Sequence, residues 1–241
     1  MSDYTVIIYE KKDGVGYVTL NRPERLNAYN IKMRDELNEV LSAIEADTDV
    51  RVVIFKGAGE KAFCAGADLT EFLTAESPIL ARKARWERDI WGRFLSLSKP
   101  VIAALHGYVL GSGIEIALCC DIRICTDDAQ FGLPEIGLGI IPAAGGTQTL
   151  PRMIGRGPAL DILLSGRWMK AAEAKKWKLV NQVVPRAGLL PAAQRLADKI
   201  KGCDPLVMRC VKQAVTRGMD ITLAQGLALE ARLSTRVAST K

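Results

Sequence analysis

Two glutamates, Glu115 and Glu135, stand where carboxylates rarely stand by accident. Glu115 lies inside the apolar run Gly113-Ile114-Glu115-Ile116-Ala117-Leu118-Cys119-Cys120, and Glu135 follows Pro134 and opens the apolar stretch Ile136–Ile141. Burying a carboxylate is costly without a partner and tends to raise its pKa. Two glutamates in glycine-rich, apolar surroundings suit general acid–base chemistry. The plainer alternative is that one caps a helix and the other makes a salt bridge, and the residues alone leave both open. Three glycine-rich stretches accompany them. These are Cys64–Leu69, His106–Glu115, and Phe131–Glu135 continuing through Gly137–Thr147. Glycine lets backbone come close to a ligand. Where such a loop opens a helix, its N–H groups and dipole draw negative charge, and two such loops can aim two N–H groups at one oxygen. A single glycine-rich turn is more often a tight strand–helix connection. Gly111-Ser112-Gly113 is not a dinucleotide fingerprint, and no P-loop occurs.

Other chemistries are narrowed by counting. His106 is the only histidine, which excludes a multi-histidine metal site. It reads as a structural or pocket-edge residue rather than a base. The six cysteines form no CxxC pair, so a zinc ribbon or thioredoxin-type centre is not suggested, and free buried thiols are expected. The net charge is +6, but the basic residues are scattered and aromatics are only 6%. That pattern disfavours nucleic acid and fits a small anionic ligand. No apolar stretch approaches the roughly 20 residues that span a bilayer, and the N-terminus lacks the order of a signal peptide. A cytoplasmic protein with no membrane partner is expected.

The elements that must position these residues follow from local patterns. Residues 5–10 and 16–21 read as a β-hairpin turning at Asp13-Gly14. Residues 30–46 have helical spacing, with Asn30 as cap. Strands are expected at 51–56, 101–105 and 121–126, and a short buried helix at 114–120. Alternating strands and helices argue for an α/β fold. No sequence repeat is visible. From about 187 the pattern is helical without a strand, and a soft boundary falls near Pro185. A helical tail of this kind packs on a neighbouring subunit or back on its own chain.

The stretches NRPERLNAYN, AFCAGADL, HGYVLGSGIEIALCCDIRI, AQFGLPEIGLGIIPAAGGTQTLPRMIGR and AKKWKLVNQVV resemble, in order and spacing, the enoyl-CoA hydratase (crotonase) family. The resemblance runs from about residue 5 to about 237. It implies a spiral of β-β-α turns over residues 1–186 carrying an acyl-coenzyme A site. Residues 187–241 would then form a helical region that builds homotrimers, commonly paired into homohexamers. The backbone N–H groups of Ala67 and Ser112 would hold the thioester oxygen, although the family often has glycine at the Ser112 position. Glu115 would hold and activate water, and Glu135 would deliver a proton to C2. Coenzyme A contacts would come from Arg25, Leu26 and Ala28 and from backbone around Ala65, Asp68 and Leu69. Arg25 reads equally as a phosphate or adenine contact and as a solvated side chain. The acyl group would lie near Leu69, Phe72 and the 86–94 stretch, where two of Trp86, Trp91 and Phe94 read as core and Trp91 is taken as the substrate contact. No metal and no separate cofactor is implied, coenzyme A being part of the substrate. Many members carry a further C-terminal segment that helps close the adenine site, so contacts at that end are the least complete. The implied reaction is reversible hydration of a 2-enoyl-CoA. Isomerases of this kind generally need only the carboxylate at the Glu135 position, so Glu115 favours hydration. The rivals are hydration of a cyclic dienoyl-CoA, isomerisation, thioester hydrolysis, or a non-catalytic RNA-binding role.

Overall fold

The computed structural model describes residues 4–71 and 88–240. The chain opens with an antiparallel hairpin, β1 (Ile7–Lys12) and β2 (Val15–Leu20). Asp13 and Gly14 both take positive φ, as a two-residue Asp-Gly turn requires. Helix α1 (Ile31–Ala46) starts where expected, with the Asn30 side chain accepting from Met33 N at 2.9 Å. Its face of Met33, Leu37, Val40, Leu41 and Ile44 is buried. Glu36 on the same helix is also buried, and its carboxylate accepts from the backbone N–H groups of Thr5, Val6 and Ile7.

A repeating unit follows that no sequence repeat announced. Strand β3 (Val52–Gly57) leads to β4 (Ala62–Cys64), and helix α2 (Ile90–Ser96) lies further along. Strands β5 (Val101–Leu105) and β6 (Tyr108–Leu110) lead directly into helix α3 (Ser112–Cys119). Strands β7 (Ile122–Thr126) and β8 (Gln130–Gly132) lead through a 3₁₀ turn, Pro134–Leu138, into α4 (Gly146–Ile154). Helix α5 (Arg156–Ser165), strand β9 (Met169–Lys170), helix α6 (Ala171–Lys176) and strand β10 (Gln182–Val184) complete the series. The first strand of each turn joins one sheet, in the order β1-β2-β3-β5-β7-β10, and the second joins another, β4-β6-β8-β9. The result is a spiral of β-β-α turns. Each strand–helix junction of the smaller sheet therefore arrives at the same side of the molecule.

The larger sheet is apolar on both faces, which is why its strands read as continuous runs such as VVIF and VIAAL. One face packs into the main core around Phe55, Phe63, Phe94 and Phe131. The other is covered by Leu189, Ala192, Ala193 and Ala197 of helix α7 (Leu189–Lys201). The 186/187 boundary thus falls just before a helix that packs on the body. Helices α8 (Pro205–Gly218) and α9 (Leu223–Ala238) pack on one another and leave Val215, Met219, Leu223 and Leu227 exposed. Phe94 is core, in edge contact with Phe55, whereas Phe72 and Trp86 lie outside the described residues. Five of the six cysteines are buried and Cys203 is exposed. Among the described residues no helix is long and apolar enough to cross a membrane.

One close backbone approach lies between turns. A Cβ built on Gly113 in α3 would overlap the carbonyl oxygen and carbon of Cys64 at the end of β4. Backbone cannot yield as a flexible side chain can. Gly113→Ala is expected to cost about 1–3 kcal/mol by overpacking, read as a lower thermal midpoint. An unchanged midpoint would show that this contact relaxes freely.

Candidate functional site

The cleft is built from the loop after β4, the start of α3 and the turn before α4. It has a volume of about 460 Å³, and Tyr29, Ala67, Trp91, Ser112, Ala143 and Ala144 are among its lining residues. That is ample for a small acyl group. Its mouth is charged, with Arg34, Asp68, Glu71, Arg88 and Asp89 around it.

Ala67 is placed by pairing. Tyr29 N donates to Gly66 O at 2.8 Å, and Asp68 N donates to Tyr29 O at 2.8 Å. In such a parallel bridge the N–H of the middle residue, Ala67, points away from its neighbour, and Ala67 lines the cleft. Ser112 is the first residue of α3, so its N–H has no acceptor within the helix. The two loops touch through glycine. A Cβ on Gly111, whose φ is +51°, would sit 3.2 Å from Gly66 Cα and 3.1 Å from Glu135 Oε1. A side chain at Gly111 would press on the Gly66 backbone and the Glu135 carboxyl.

Glu115 sits one turn into α3 and is 2% exposed. Its Oε1 accepts from Ala144 N and Gly146 N, each at 2.9 Å. The carboxylate thus caps the N-terminus of α4, where free N–H groups and the dipole favour negative charge. Helix capping, the plainer reading of one glutamate, is observed, and it leaves the carboxylate one hydrogen bond from Ala144 of the cleft wall. Glu135 behaves differently. It stands half-buried in the 3₁₀ turn, and its Oε2 is fully buried without a hydrogen bond. Burial pushes its pKa up to about 6, its own backbone N–H opposes this, and the charge of Glu115 adds to the rise. No salt bridge to Glu135 is found among the described residues.

The remaining expected residues divide. The Leu26 carbonyl accepts from Ala65 N at 3.0 Å, so these two backbones run together behind the loop that carries Ala67. Arg22 Nη1 donates to Ala28 O at 2.7 Å, and Arg22 Nη2 meets Asp68 Oδ2 at 2.9 Å. The Asp68 side chain is therefore committed to Arg22 and Thr70, and hydrogen bonds from both hold its carboxyl below the usual range. Arg25 is exposed in the turn Pro23–Arg25 and makes no ion pair among the described residues. Leu69 is exposed beyond the cleft wall. Trp91 packs at 5.7 Å from the Tyr29 ring inside the cleft. His106 is buried with Nε2 unpartnered, and burial, assisted by Arg186, pushes its pKa down to about 4. It stays neutral, as a structural residue would.

Sequence reasoning missed Arg22, Asn27 and Tyr29. Leu26 and Asn27 both take positive φ, and the Asn27 side chain holds that shape by bonding Arg22 N, Ala58 O and Ala62 O. Asparagine among turn residues is the one signal that could have flagged it.

The spiral brings Ala67 and Ser112 into one cleft, with Glu115 bonded to Ala144 of its wall and Glu135 beside Gly111, an arrangement that suits acyl-thioester chemistry. The chain belongs to the enoyl-CoA hydratase/isomerase family, whose description matches residues 10–241. It is 44% identical to the short-chain-enoyl-CoA hydratase of Clostridium acetobutylicum, over 93% of this chain and 86% of that one. It is 38% identical to the crotonyl-CoA hydratase of Syntrophomonas wolfei, over 95% and 88% of the two chains. The crystal structure of an enoyl-CoA hydratase from Bacillus anthracis superposes with a TM-score of 0.93 at 40% identity, covering 98% of this chain and 92% of that one.

Glu135 yields a signed pH dependence. Its pKa is about 6 in the folded chain against 4.5 unperturbed. The folded state binds this proton more tightly, so its contribution favours the fold at low pH and is lost as pH rises through about 6. Glu135→Gln removes that loss. The variant should melt higher than the parent near pH 8 and differ little near pH 4, as calorimetry at the two pH values can test. A variant that melts lower near pH 8 would contradict the assigned environment.

Proposed function

We propose that the protein is an enoyl-CoA hydratase, a hydro-lyase that adds water reversibly across the C2=C3 bond of a 2-enoyl-CoA. The observation that carries this reading is the unequal environment of the two glutamates that adjoin the cleft, one bonded to Ala144 of its wall and the other beside Gly111. Glu115 receives two backbone N–H groups and is held as an acceptor. Glu135 has a buried, unbonded oxygen and a pKa of about 6, so it exchanges a proton near neutrality.

In the proposed reaction the thioester oxygen lies between the N–H groups of Ala67 and Ser112. Attack at C3 pushes electron density onto that oxygen, and preorganised donors stabilise it. Glu115 orients the water and takes its proton as oxygen bonds to C3. Glu135 gives a proton to C2, and the proton on Glu115 passes back to Glu135 through the shared water site. The pair titrates as a coupled unit. Ala65, Leu26 and Ala28 support the loop that faces the coenzyme A thioester, and Arg25 and Leu69 stand free at its outer edge. Trp91 and Tyr29 form an aromatic wall for the acyl chain. The Clostridium and Syntrophomonas names point to a short acyl chain as the first substrate to try. The reading needs no metal or separate cofactor, and a cytoplasmic location goes with it. Homotrimers, paired or not, would cover the exposed apolar side chains of α8 and α9.

Glu115→Gln and Glu135→Gln are each expected to lower hydration of crotonyl-CoA by about a hundredfold or more, followed as loss of the conjugated thioester absorbance. Full activity in either variant would sink the pair assignment. Sedimentation at micromolar protein should show a trimer or a multiple of it, and a monomer would remove the assembly from the proposal.

A further inference from the structure

The two helices that serve the cleft share one anchor at their far ends. Helix α3 presents Ser112 N to the cleft, and the N-terminus of α4 holds Glu115. At the opposite ends lies Arg123 of β7, 3% exposed. Its Nη1 donates to Ala117 O at 3.2 Å and to Cys120 O at 2.5 Å, the closing carbonyls of α3. Its Nη2 meets Met153 Sδ at 3.6 Å, in the last turn of α4. Its Nε donates to Leu179 O at 2.7 Å. The backbone of Arg123 is pinned as well, its N donating to Asn181 Oδ1 and its carbonyl accepting from Asn181 N.

A buried guanidinium is expensive to desolvate, and among the described residues Arg123 has no carboxylate partner. Capping one helix needs a single donor, which a neutral side chain supplies. The planar fork does more, since it reaches two helices at once and puts positive charge where the dipole of α3 ends negative. We infer that Arg123 is a positioning residue that fixes the crossing of α3 and α4, and through it the place of the Ser112 N–H relative to Glu115. The leverage is geometric. Eight residues of helix are about 12 Å long, so a tilt of about 5° at the Arg123 end moves the Ser112 end by about 1 Å. A displacement of that size can cost up to about a hundredfold in rate.

This inference rests on the proposed hydration for its kinetic readout, and a second readout stands apart from turnover. Arg123→Lys keeps the charge but cannot bridge both helices, and Arg123→Gln loses both. Each is expected to lower kcat for crotonyl-CoA by about tenfold or more while KM changes less than about threefold. The infrared C=O stretch of bound butyryl-CoA, which cannot be hydrated, should move back toward its value in water. Circular dichroism establishes that the variants are folded, and if Arg123→Gln does not fold, Arg123→Lys decides. A folded Arg123→Lys with parental kcat and parental C=O stretch would overturn the inference. If the parent itself neither hydrates crotonyl-CoA nor shifts the butyryl-CoA stretch, the proposed function fails instead.

Discussion

The structure turns on one carboxylate bonded to the beginning of a helix. Glu115 Oε1 takes the N–H groups of Ala144 and Gly146, and through them the chain segment after β8 is tied to the helix after β6. Two successive turns of the spiral meet at this bond. It explains how a charge can be buried at 2% exposure in an apolar helix. Two oriented dipoles that belong to the backbone face the carboxylate. Because these donors are backbone, they add no side-chain ordering cost to the bond.

That bond also sets Glu135 apart. With the α4 N-terminus committed to Glu115, Glu135 is left in an apolar turn beside a neighbouring negative charge, and its pKa rises. One helix terminus thus makes two identical side chains chemically different. Gly111, at φ +51°, lets these parts come together, since a Cβ there would sit 3.2 Å from Gly66 Cα and 3.1 Å from Glu135 Oε1.

Much of this was legible in the sequence, and the boundary is physical. The Asp13-Gly14 turn, the Asn30 cap and the apolar strands follow from local dihedral and burial rules, and their elements fall within a residue or two of expectation. The spiral was invisible as a repeat because each turn conserves a backbone path rather than a residue pattern. The glutamates were visible as anomalies, but their partners were not. Ala144 and Gly146 contribute only N–H groups, which every residue except proline owns, so nothing in their identity marks them. Arg22 and Asp68 pair across dozens of intervening residues, and no spacing rule connects them. Asp68, whose backbone the resemblance puts beside coenzyme A, spends its side chain on holding the loop.

The buried cysteines bear on the chemistry from another direction. An enoyl thioester is an electrophile at C3, and a thiolate adds there more readily than water does. Cys64 lies three residues from Ala67, and Cys120 follows the helix that carries Glu115. Burial pushes the Cys64 thiol up to about 11 and that of Cys120 up to about 12. Both sulfurs stay protonated and shielded. An enzyme surrounded by thiols can therefore handle an alkylating substrate without becoming its target, and water keeps its claim on the reactive carbon.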